Sequence, residues 1–258
     1  MRNDHYAISR KQDGTVTLTI SGAGRANVLS SSVIKGLTEA ISLLATDEAL
    51  RVLILASGGE RSFIAGADIT EMAKLNPTTG ESFIKGLRDL CEAVRRFPAP
   101  VVARIQGWCL GGGLELAMAC DMRVAAPEAR FGMPEVRLGI PSVIHAALMP
   151  RLIGEARARR LILTGATIDA ATALDWGLVD FVSSTGDLDG TVADAIAPIL
   201  ASGAAVMAAQ KALMNQWAEL SLAEAVAVSI PVFGRAFATG EPQRYMQQFI
   251  DEKARRAR

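Results

Sequence analysis

The amino-acid sequence predicts an α/β fold with an all-helical C-terminal region, and three observations support this prediction. Residues 52–56 form a continuous apolar run, which is typical of a strand covered on both faces. Residues 101–119 combine a β-branched run, three consecutive glycines and a series of strong helix formers. After residue 187 only helical patterns follow. We therefore divide the chain into an α/β core, residues 1–186, and a helical C-terminal region, residues 187–258.

The first part of the core alternates between strand and helix patterns, as α/β folds do. Residues 7–20 predict two strands around a tight turn, and apolar side chains at helical spacing predict a helix over residues 33–44. Asp68 and Glu71 fit a capping box, so another helix is expected to begin near Ile69.

The rest of the chain is increasingly helical. Residues 80–97 predict a helix that ends before two prolines, and residues 121–125 and 178–182 predict short strands. Residues 126–135 are rich in turn-forming residues and predict a loop. Helical spacing also predicts helices over residues 155–163, 169–176, 188–200, 204–217, 222–238 and 241–257.

Composition narrows the function classes. Among 258 residues, Lys plus Arg and Asp plus Glu number 27 each, so nucleic acid is not expected as the main partner. Half of the residues are hydrophobic, which argues against disorder. The basic C-terminal tip is expected to be a solvated helix end; it comprises Lys253, Arg255, Arg256 and Arg258.

Three cysteines without a C-x-x-C spacing predict neither a disulfide framework nor a zinc motif. The two histidines, His5 and His145, lie far apart, so no metal site is expected. The N-terminus lacks the apolar segment of a signal peptide. The sequence has no run of about eighteen uncharged apolar residues, so a membrane span is not expected. A cytoplasmic location is therefore expected.

The glycine triplet Gly111-Gly112-Gly113 joins a strand pattern to a helix pattern. A helix start presents free backbone N–H groups and the positive end of the helix dipole, which suits a phosphate or a developing oxyanion. The plainer alternative is that small residues let the helix pack closely on a strand. Glu115 is the only charge in the apolar opening of the helix, and a buried carboxylate is costly unless it is paired or used.

Ala65-Gly66-Ala67 forms a second turn of small residues ahead of a predicted helix. Two such turns can direct two backbone N–H groups at one carbonyl oxygen, which is the geometry of an oxyanion hole. Glu115 and Glu135 are the two candidate acids. A pair of carboxylates beside an oxyanion hole suits proton transfer next to a thioester carbonyl.

These residues closely resemble the enoyl-CoA hydratase/isomerase family, also called the crotonase family. The resemblance rests on three motifs in order, and it extends from Val16 to the C-terminal region. The motifs are Phe63-Ile64-Ala65-Gly66-Ala67-Asp68-Ile69, Gln106-Gly107-Trp108-Cys109-Leu110-Gly111-Gly112-Gly113-Leu114-Glu115-Leu116-Ala117 and Phe131-Gly132-Met133-Pro134-Glu135.

The resemblance implies a ββα-spiral core and a helical C-terminal region that forms trimers, commonly paired into hexamers. It implies an acyl-CoA thioester as the substrate, with CoA as part of that substrate and no separate cofactor. By residue-by-residue matching, the oxyanion donors are the backbone N–H groups of Ala67 and Gly112. The matched substrate-binding positions are Ala26, Ala65, Gly66, Asp68, Ile69 and Leu110.

The acids favour one reaction within the family. In this respect the chain resembles the hydratases of the family, which have Glu at both matched positions. Isomerases usually have Glu only at the second position. By this resemblance, Glu115 and Glu135 hold one water molecule; Glu115 acts as the base as the water attacks the β-carbon, and Glu135 protonates the α-carbon. The expected function is enoyl-CoA hydratase, with dehydration of a 3-hydroxyacyl-CoA in reverse.

The chain departs from the family pattern at two places. Ile144 and His145 stand where hydratases typically have two adjacent glycines, and we hypothesise that His145 reaches the acyl site. Thr70 stands where many hydratases have Lys, so that a phosphate contact is either missing or supplied by Arg25.

Other functions remain open at this point. Another crotonase-type reaction is one alternative, namely isomerisation, acyl-CoA hydrolysis or carbon–carbon cleavage. Ser142 and His145 could suggest a hydrolase, but no orienting acid is evident near them in the sequence. A non-catalytic or RNA-binding relative is a further alternative, and the neutral net charge argues against it.

Overall fold

A computed structural model describes residues 4–22, 24, 26–184 and 186–256 of the chain. The strands in these ranges are β1 (Tyr6–Arg10), β2 (Thr15–Ile20), β3 (Val52–Ser57), β4 (Ser62–Ile64), β5 (Val101–Ile105), β6 (Trp108–Leu110), β7 (Met122–Ala125), β8 (Arg130–Gly132), β9 (Thr167–Asp169) and β10 (Phe181–Val182).

The helices of the core are α1 (Ser31–Leu44), α2 (Ile69–Met72), α3 (Pro77–Arg95), α4 (Gly112–Ala119), α5 (Met149–Ile153), α6 (Glu155–Thr164) and α7 (Ala170–Trp176). The C-terminal helices are α8 (Leu188–Ala201), α9 (Ala204–Trp217), α10 (Leu222–Ala236) and α11 (Glu241–Arg256). Short 3-10 segments span Glu135–Leu138, Ile144–Leu148 and Phe237–Thr239. The predicted fold class, α/β followed by helices, is confirmed.

The strands form two sheets. The larger sheet has the order β1-β2-β3-β5-β7-β10, and all its neighbouring strands are parallel except the antiparallel pair β1–β2. The smaller sheet has the order β4-β6-β8-β9, and only β9 runs antiparallel to its neighbour.

Strand β3 is buried along its whole length, as its continuous apolar run predicts. Leu53 and Leu55 belong to the main hydrophobic core, whereas Val52 and Ile54 belong to a smaller cluster that helix α8 completes. Successive side chains of a strand point to opposite faces of the sheet, so an all-apolar strand needs cover on both sides.

The smaller sheet was not predicted from the sequence. Strand β8 falls in residues 126–135, which the turn-forming residues predicted to be a loop, so that prediction was wrong for residues 130–132. A strand of three residues is too short to show a period of two, and it exists because its neighbours supply hydrogen-bond partners.

Helix α4 packs directly on the smaller sheet, and Gly113 makes this approach possible. A Cβ atom on Gly113 would lie 2.4 Å from the Ile64 carbonyl oxygen of β4, which is closer than any side chain tolerates. The plainer interpretation of the glycine triplet, close packing of helix on strand, therefore applies to Gly113.

Helix α9 is attached to the core by a buried cation. The Lys211 ammonium lies 2.7 Å from Asp121 Oδ2 and donates to the carbonyl oxygens of Val94 and Ala99 at 3.2 and 3.1 Å. These three acceptors satisfy the donors of the ammonium group, which a buried charge requires.

The segment Leu222–Thr239 is long and apolar enough to span a membrane by length and composition alone. Its mean hydropathy is 1.3 over 18 residues, and 6% of the segment is buried. The sequence criterion of an uncharged run did not detect it because the segment contains Glu224 and Arg235.

Candidate active site

Three neighbouring strands of the smaller sheet end at the predicted site. β4, β6 and β8 are mutually parallel, so their C-terminal ends lie at the same edge of the sheet. Ala65-Gly66-Ala67 follows β4, the glycine triplet follows β6, and Glu135 comes three residues after β8. Sheet topology thus brings together segments that are far apart in the sequence.

Gly111 lies at the centre of this meeting point. Its φ of +51° is in the region that favours glycine, and its N–H donates to the Gly132 carbonyl oxygen at 3.0 Å. A Cβ atom at this position would lie 2.5 Å from Glu135 Oε1 and 4.0 Å from Gly66 Cα. Glycine suits this position because of its positive φ, and it leaves room for the Glu135 carboxyl group.

Gly112 is the first residue of helix α4, so its N–H group has no acceptor within the helix. All eight residues of the helix are buried, so the positive end of the helix dipole is poorly screened by water. Gly112 is therefore a free, fixed donor at the edge of the smaller sheet.

Ala67 forms an isolated parallel bridge with Leu29. The Leu29 N–H donates to the Gly66 carbonyl oxygen, and the Asp68 N–H donates to the Leu29 carbonyl oxygen, both at 2.9 Å. Because successive N–H groups of an extended chain point to opposite sides, the N–H of Ala67 itself points away from Leu29. This places a second backbone donor beside the site.

Helix α2 begins at Ile69, as predicted, and Asp68 caps it. The Asp68 carboxylate accepts from the N–H groups of Thr70 and Glu71 at 2.9 and 3.2 Å. The second hydrogen bond of a capping box, from the Asp68 N–H to the Glu71 carboxylate, does not form, so that part of the prediction was wrong. The Glu71 carboxylate accepts instead from the Ser31 N–H at 2.9 Å, and the Asp68 N–H donates to the Leu29 carbonyl oxygen. The capping residue therefore has a structural role.

A cavity of about 370 Å³ opens at the meeting point of the two turns. The predicted residues that line it are Ala65, Gly66, Ala67, Ile69, Leu110, Gly112, Glu115 and Glu135. Most of the remaining wall is apolar, and it consists of Met72, Phe83, Ile84, Leu87, Gly111, Pro134, Arg137, Leu138, Ile140, Pro141 and Val143. The cavity thus presents two carboxyl groups to an apolar space.

Glu115 is 3% exposed and belongs to the first turn of α4. Its Oε1 accepts from the Ala146 N–H at 2.9 Å. Burial raises the pKa of Glu115 from its ordinary value of 4.5 to about 8, the Ala146 hydrogen bond lowers this pKa, and the charge of Glu135 raises it. Glu115 and Glu135 both line the same cavity.

Glu135 is in a different environment. It begins a 3-10 segment, is half-buried, and its Oε2 accepts from the Ser142 hydroxyl group at 2.8 Å. Sequence reasoning missed this role of Ser142, which stands seven residues later in an irregular segment without a periodic signal. Two carboxyl groups in unlike environments at one cavity suit the opposite roles of acid and base.

His145 does not line the cavity. Its Nε2 lies 2.9 Å from Glu92 Oε1 on helix α3, and its side chain is buried. The geometry therefore does not bring His145 to the acyl site, and it does not form the Ser142–His145 pair of a hydrolase, since Ser142 donates to Glu135.

The remaining predicted residues lie next to the cavity. The Ala26 carbonyl oxygen accepts from the Ala65 N–H at 3.2 Å, so Ala26 adjoins the first turn without lining the cavity. Asp68 does not line it either. Arg25, proposed as a phosphate contact in place of a lysine at Thr70, lies outside the described residues.

Within residues 4–256, apart from positions 23, 25 and 185, no three His, Cys, Asp or Glu side chains cluster as a metal site requires.

Comparison with known proteins identifies the family to which the chain is similar. The sequence model of a protein family described as enoyl-CoA hydratase/isomerase matches residues 10–256. The chain is 33% identical to the short-chain-enoyl-CoA hydratase of Clostridium acetobutylicum and 32% identical to the crotonyl-CoA hydratase of Syntrophomonas wolfei, with 95% of each chain covered in both comparisons. A crystal structure of an enoyl-CoA hydratase from Bacillus anthracis superposes with a TM-score of 0.91 at 29% identity, over 96% of each chain.

The buried carboxyl group of Glu115 should make stability depend on pH. A folded-state pKa of about 8 means that the folded protein loses stability as pH rises from about 4.5 to 8. Glu115→Gln removes this titration, so the free energy of unfolding of the variant relative to the wild type should increase by about 4 kcal/mol across that range. Urea denaturation between about pH 5 and pH 9 measures this difference.

Glu128→Gln is the control, because Glu128 is an exposed carboxyl group on a core loop. Its difference from the wild type should stay constant with pH. A Glu115→Gln difference that is also constant with pH would show that Glu115 ionises normally in the folded protein.

Proposed function

The chain belongs to the enoyl-CoA hydratase/isomerase family, and we propose that it is an enoyl-CoA hydratase. The proposed reaction is the reversible addition of water to a trans-2-enoyl-CoA to give a 3-hydroxyacyl-CoA. The observation that supports it is the presence of two carboxyl groups in unlike environments at one apolar cavity, beside two backbone N–H groups from separate turns.

The backbone donors are proposed to stabilise the negative charge that develops on the thioester oxygen. Gly112 offers the first N–H of a buried helix, and Ala67 offers an N–H that points away from its bridge partner Leu29. Fixed donors in a site that excludes water need no reorganisation when the charge appears, so they stabilise the enolate intermediate more than the neutral substrate.

The two carboxyl groups are proposed to move the protons. Near pH 7 the raised pKa of Glu115 keeps a proton on this group. Protonated Glu115 can give its proton to a leaving hydroxyl group while Glu135 removes the α-proton, which is dehydration. Hydration uses the opposite arrangement, in which Glu115 takes a proton from the attacking water and Glu135 protonates the α-carbon.

The substrate is proposed to place its acyl group against the apolar wall of the cavity, formed in part by Met72, Phe83, Ile84 and Leu87. Residues 65–69, with the adjoining backbone of Ala26, are proposed to receive the pantetheine and adenine portions. CoA enters and leaves as part of the substrate, so the proposed reaction needs no separate cofactor.

The C-terminal helices are proposed to bind further copies of this chain in a homotrimer, or in a homohexamer of two trimers. Large apolar side chains recur every three or four residues along α10 and its 3-10 extension, on one face of the helix. This apolar stripe consists of Leu222, Val226, Ile230, Phe233 and Phe237. Leu222, Ile230 and Phe233 are 81%, 71% and 70% exposed, and apolar surface of this extent marks an interaction site.

The oligomer is tested by replacing two members of the apolar stripe. The double variant Ile230→Asp/Phe233→Asp should sediment as a monomer, because two charges would be buried at the interface. The wild type and Ser9→Asp, a change at an exposed position of β1, should sediment as a trimer or hexamer. A wild-type monomer at micromolar concentration, or an unchanged oligomer in the double variant, would contradict the proposal.

The reaction is tested with crotonyl-CoA by following the loss of the enoyl-thioester absorbance. The wild type should hydrate this substrate, and Glu115→Ala and Glu135→Ala should each lower kcat at least about a hundredfold, because each variant lacks one proton-transfer group. Glu128→Ala should retain full activity.

A wild type that binds CoA esters but hydrates neither short nor medium enoyl-CoAs would refute the hydratase proposal. In that case another reaction of the family, isomerisation, hydrolysis or carbon–carbon cleavage, would be tested on the same protein.

A further inference from the structure

The segment of residues 142–146, which contacts Glu135 through Ser142 and Glu115 through Ala146, contains a strained residue. Ile144 has a φ of +43°, in the left-handed region, and it is β-branched. A β-branched residue adopts this conformation only where its surroundings enforce it. Ile144 begins the 3-10 segment Ile144–Leu148, so contacts of that segment must hold the backbone in place.

One such contact joins the segment to helix α3. His145 Nε2 lies 2.9 Å from Glu92 Oε1, and the His145 side chain is 7% exposed. The Glu92 carboxylate is itself held by its own helix, since Arg95 Nη1 donates to Oε1 at 2.9 Å and Arg96 Nε lies 3.0 Å from Oε2. The imidazole is therefore attached to a rigid carboxylate.

The surroundings of His145 favour one protonation state. Its Nδ1 is buried and has no hydrogen-bond partner among the described residues. A neutral imidazole with its proton on Nε2 donates to Glu92 and leaves Nδ1 as a bare acceptor, whereas a protonated ring would bury an unpaired N–H donor. Burial accordingly lowers the pKa of His145, although the hydrogen bond and charge of Glu92 oppose this effect.

The next residue binds the candidate catalytic base. The Ala146 N–H donates to Glu115 Oε1 at 2.9 Å, and both groups are buried. The direction of this N–H is set by the peptide that joins His145 to Ala146. The same N–H also donates to the Val143 carbonyl oxygen at 3.0 Å, so its direction depends on the turn formed by residues 143–146, which the His145–Glu92 contact attaches to helix α3.

We infer that His145, held by Glu92, is a positioning residue for Glu115: it keeps the strained Ile144–Ala146 backbone in place so that the Ala146 N–H donates to the Glu115 carboxylate. The catalytic part of this inference rests on the proposed hydratase function. The hydrogen bond favours the ionised form of Glu115, which the hydration direction uses. A glycine at position 144 would adopt the same positive φ without strain and would need no such attachment.

The inference is tested on the full-length protein with His145→Leu. Loss of the Glu92 contact should weaken the Ala146 hydrogen bond and raise the pKa of Glu115 by about one unit, the size expected for one hydrogen bond to a carboxylate. NMR titration of 13C-labelled glutamate carboxyl groups, with Glu115→Gln to assign the signal, measures this pKa directly. The acidic limb of the hydration kcat should move up by the same amount, so that kcat at pH 7 falls roughly tenfold while KM changes less than about twofold.

Three variants separate positioning from loss of stability. Asn215→Ala removes a hydrogen bond of 2.8 Å to the Arg95 carbonyl oxygen, near Glu92 on the same helix, and should leave the Glu115 titration unchanged. His145→Gln keeps an N–H donor for Glu92 and should titrate within about 0.3 unit of the wild type. In the double variant Ile144→Gly/His145→Leu, the Glu115 pKa should return most of the way to its wild-type value, because glycine adopts a positive φ without strain.

Equal Glu115 titrations in the wild type and in His145→Leu would overturn the inference. If His145→Leu does not fold, Glu92→Ala removes the same contact at the more exposed of the two residues. A raised Glu115 pKa in that variant would then support the inference, and an unchanged pKa would overturn it. The NMR titration needs no turnover, so an inactive wild type would refute the hydratase proposal without affecting this test.

Discussion

The constraint on which the site depends is the burial of the Glu115 carboxyl group at the start of α4. An isolated carboxylate in an apolar interior is costly, and the protein reduces this cost in two ways. It raises the pKa of the group to about 8, and it supplies one backbone donor, from Ala146. The resulting carboxyl group exchanges its proton close to neutral pH, which general acid–base catalysis requires.

The smaller sheet explains why this carboxyl group has suitable neighbours. Its three parallel strands end at one edge, and each is followed by a segment that lines the cavity. Gly113 is needed for steric reasons, because a Cβ atom there would collide with Ile64, and Gly111 is needed for its positive φ beside Glu135. Gly113 therefore serves packing, whereas Gly111 adjoins the cavity.

Much of the fold could be predicted from the sequence because its longer elements have clear periods. Helix α1, strand β3 and the four C-terminal helices lie where apolar spacing predicted them. The smaller sheet could not be predicted, because strands of three residues have no detectable period. The motifs identified Glu115 and Glu135, but Ser142, Glu92 and Ala146 act through contacts across 7, 53 and 31 residues that no local pattern reveals.

The proposed reaction requires two backbone N–H groups and two carboxyl groups to act on one enoyl thioester in this cavity. A crystal structure with an unreactive acyl-CoA analogue tests it most directly. We expect the thioester oxygen within about 2.7–3.1 Å of both the Ala67 and Gly112 nitrogen atoms, with Glu135 facing the α-carbon and Glu115 facing the β-carbon. A thioester bound elsewhere, or with its oxygen directed away from these two nitrogens, would contradict the account.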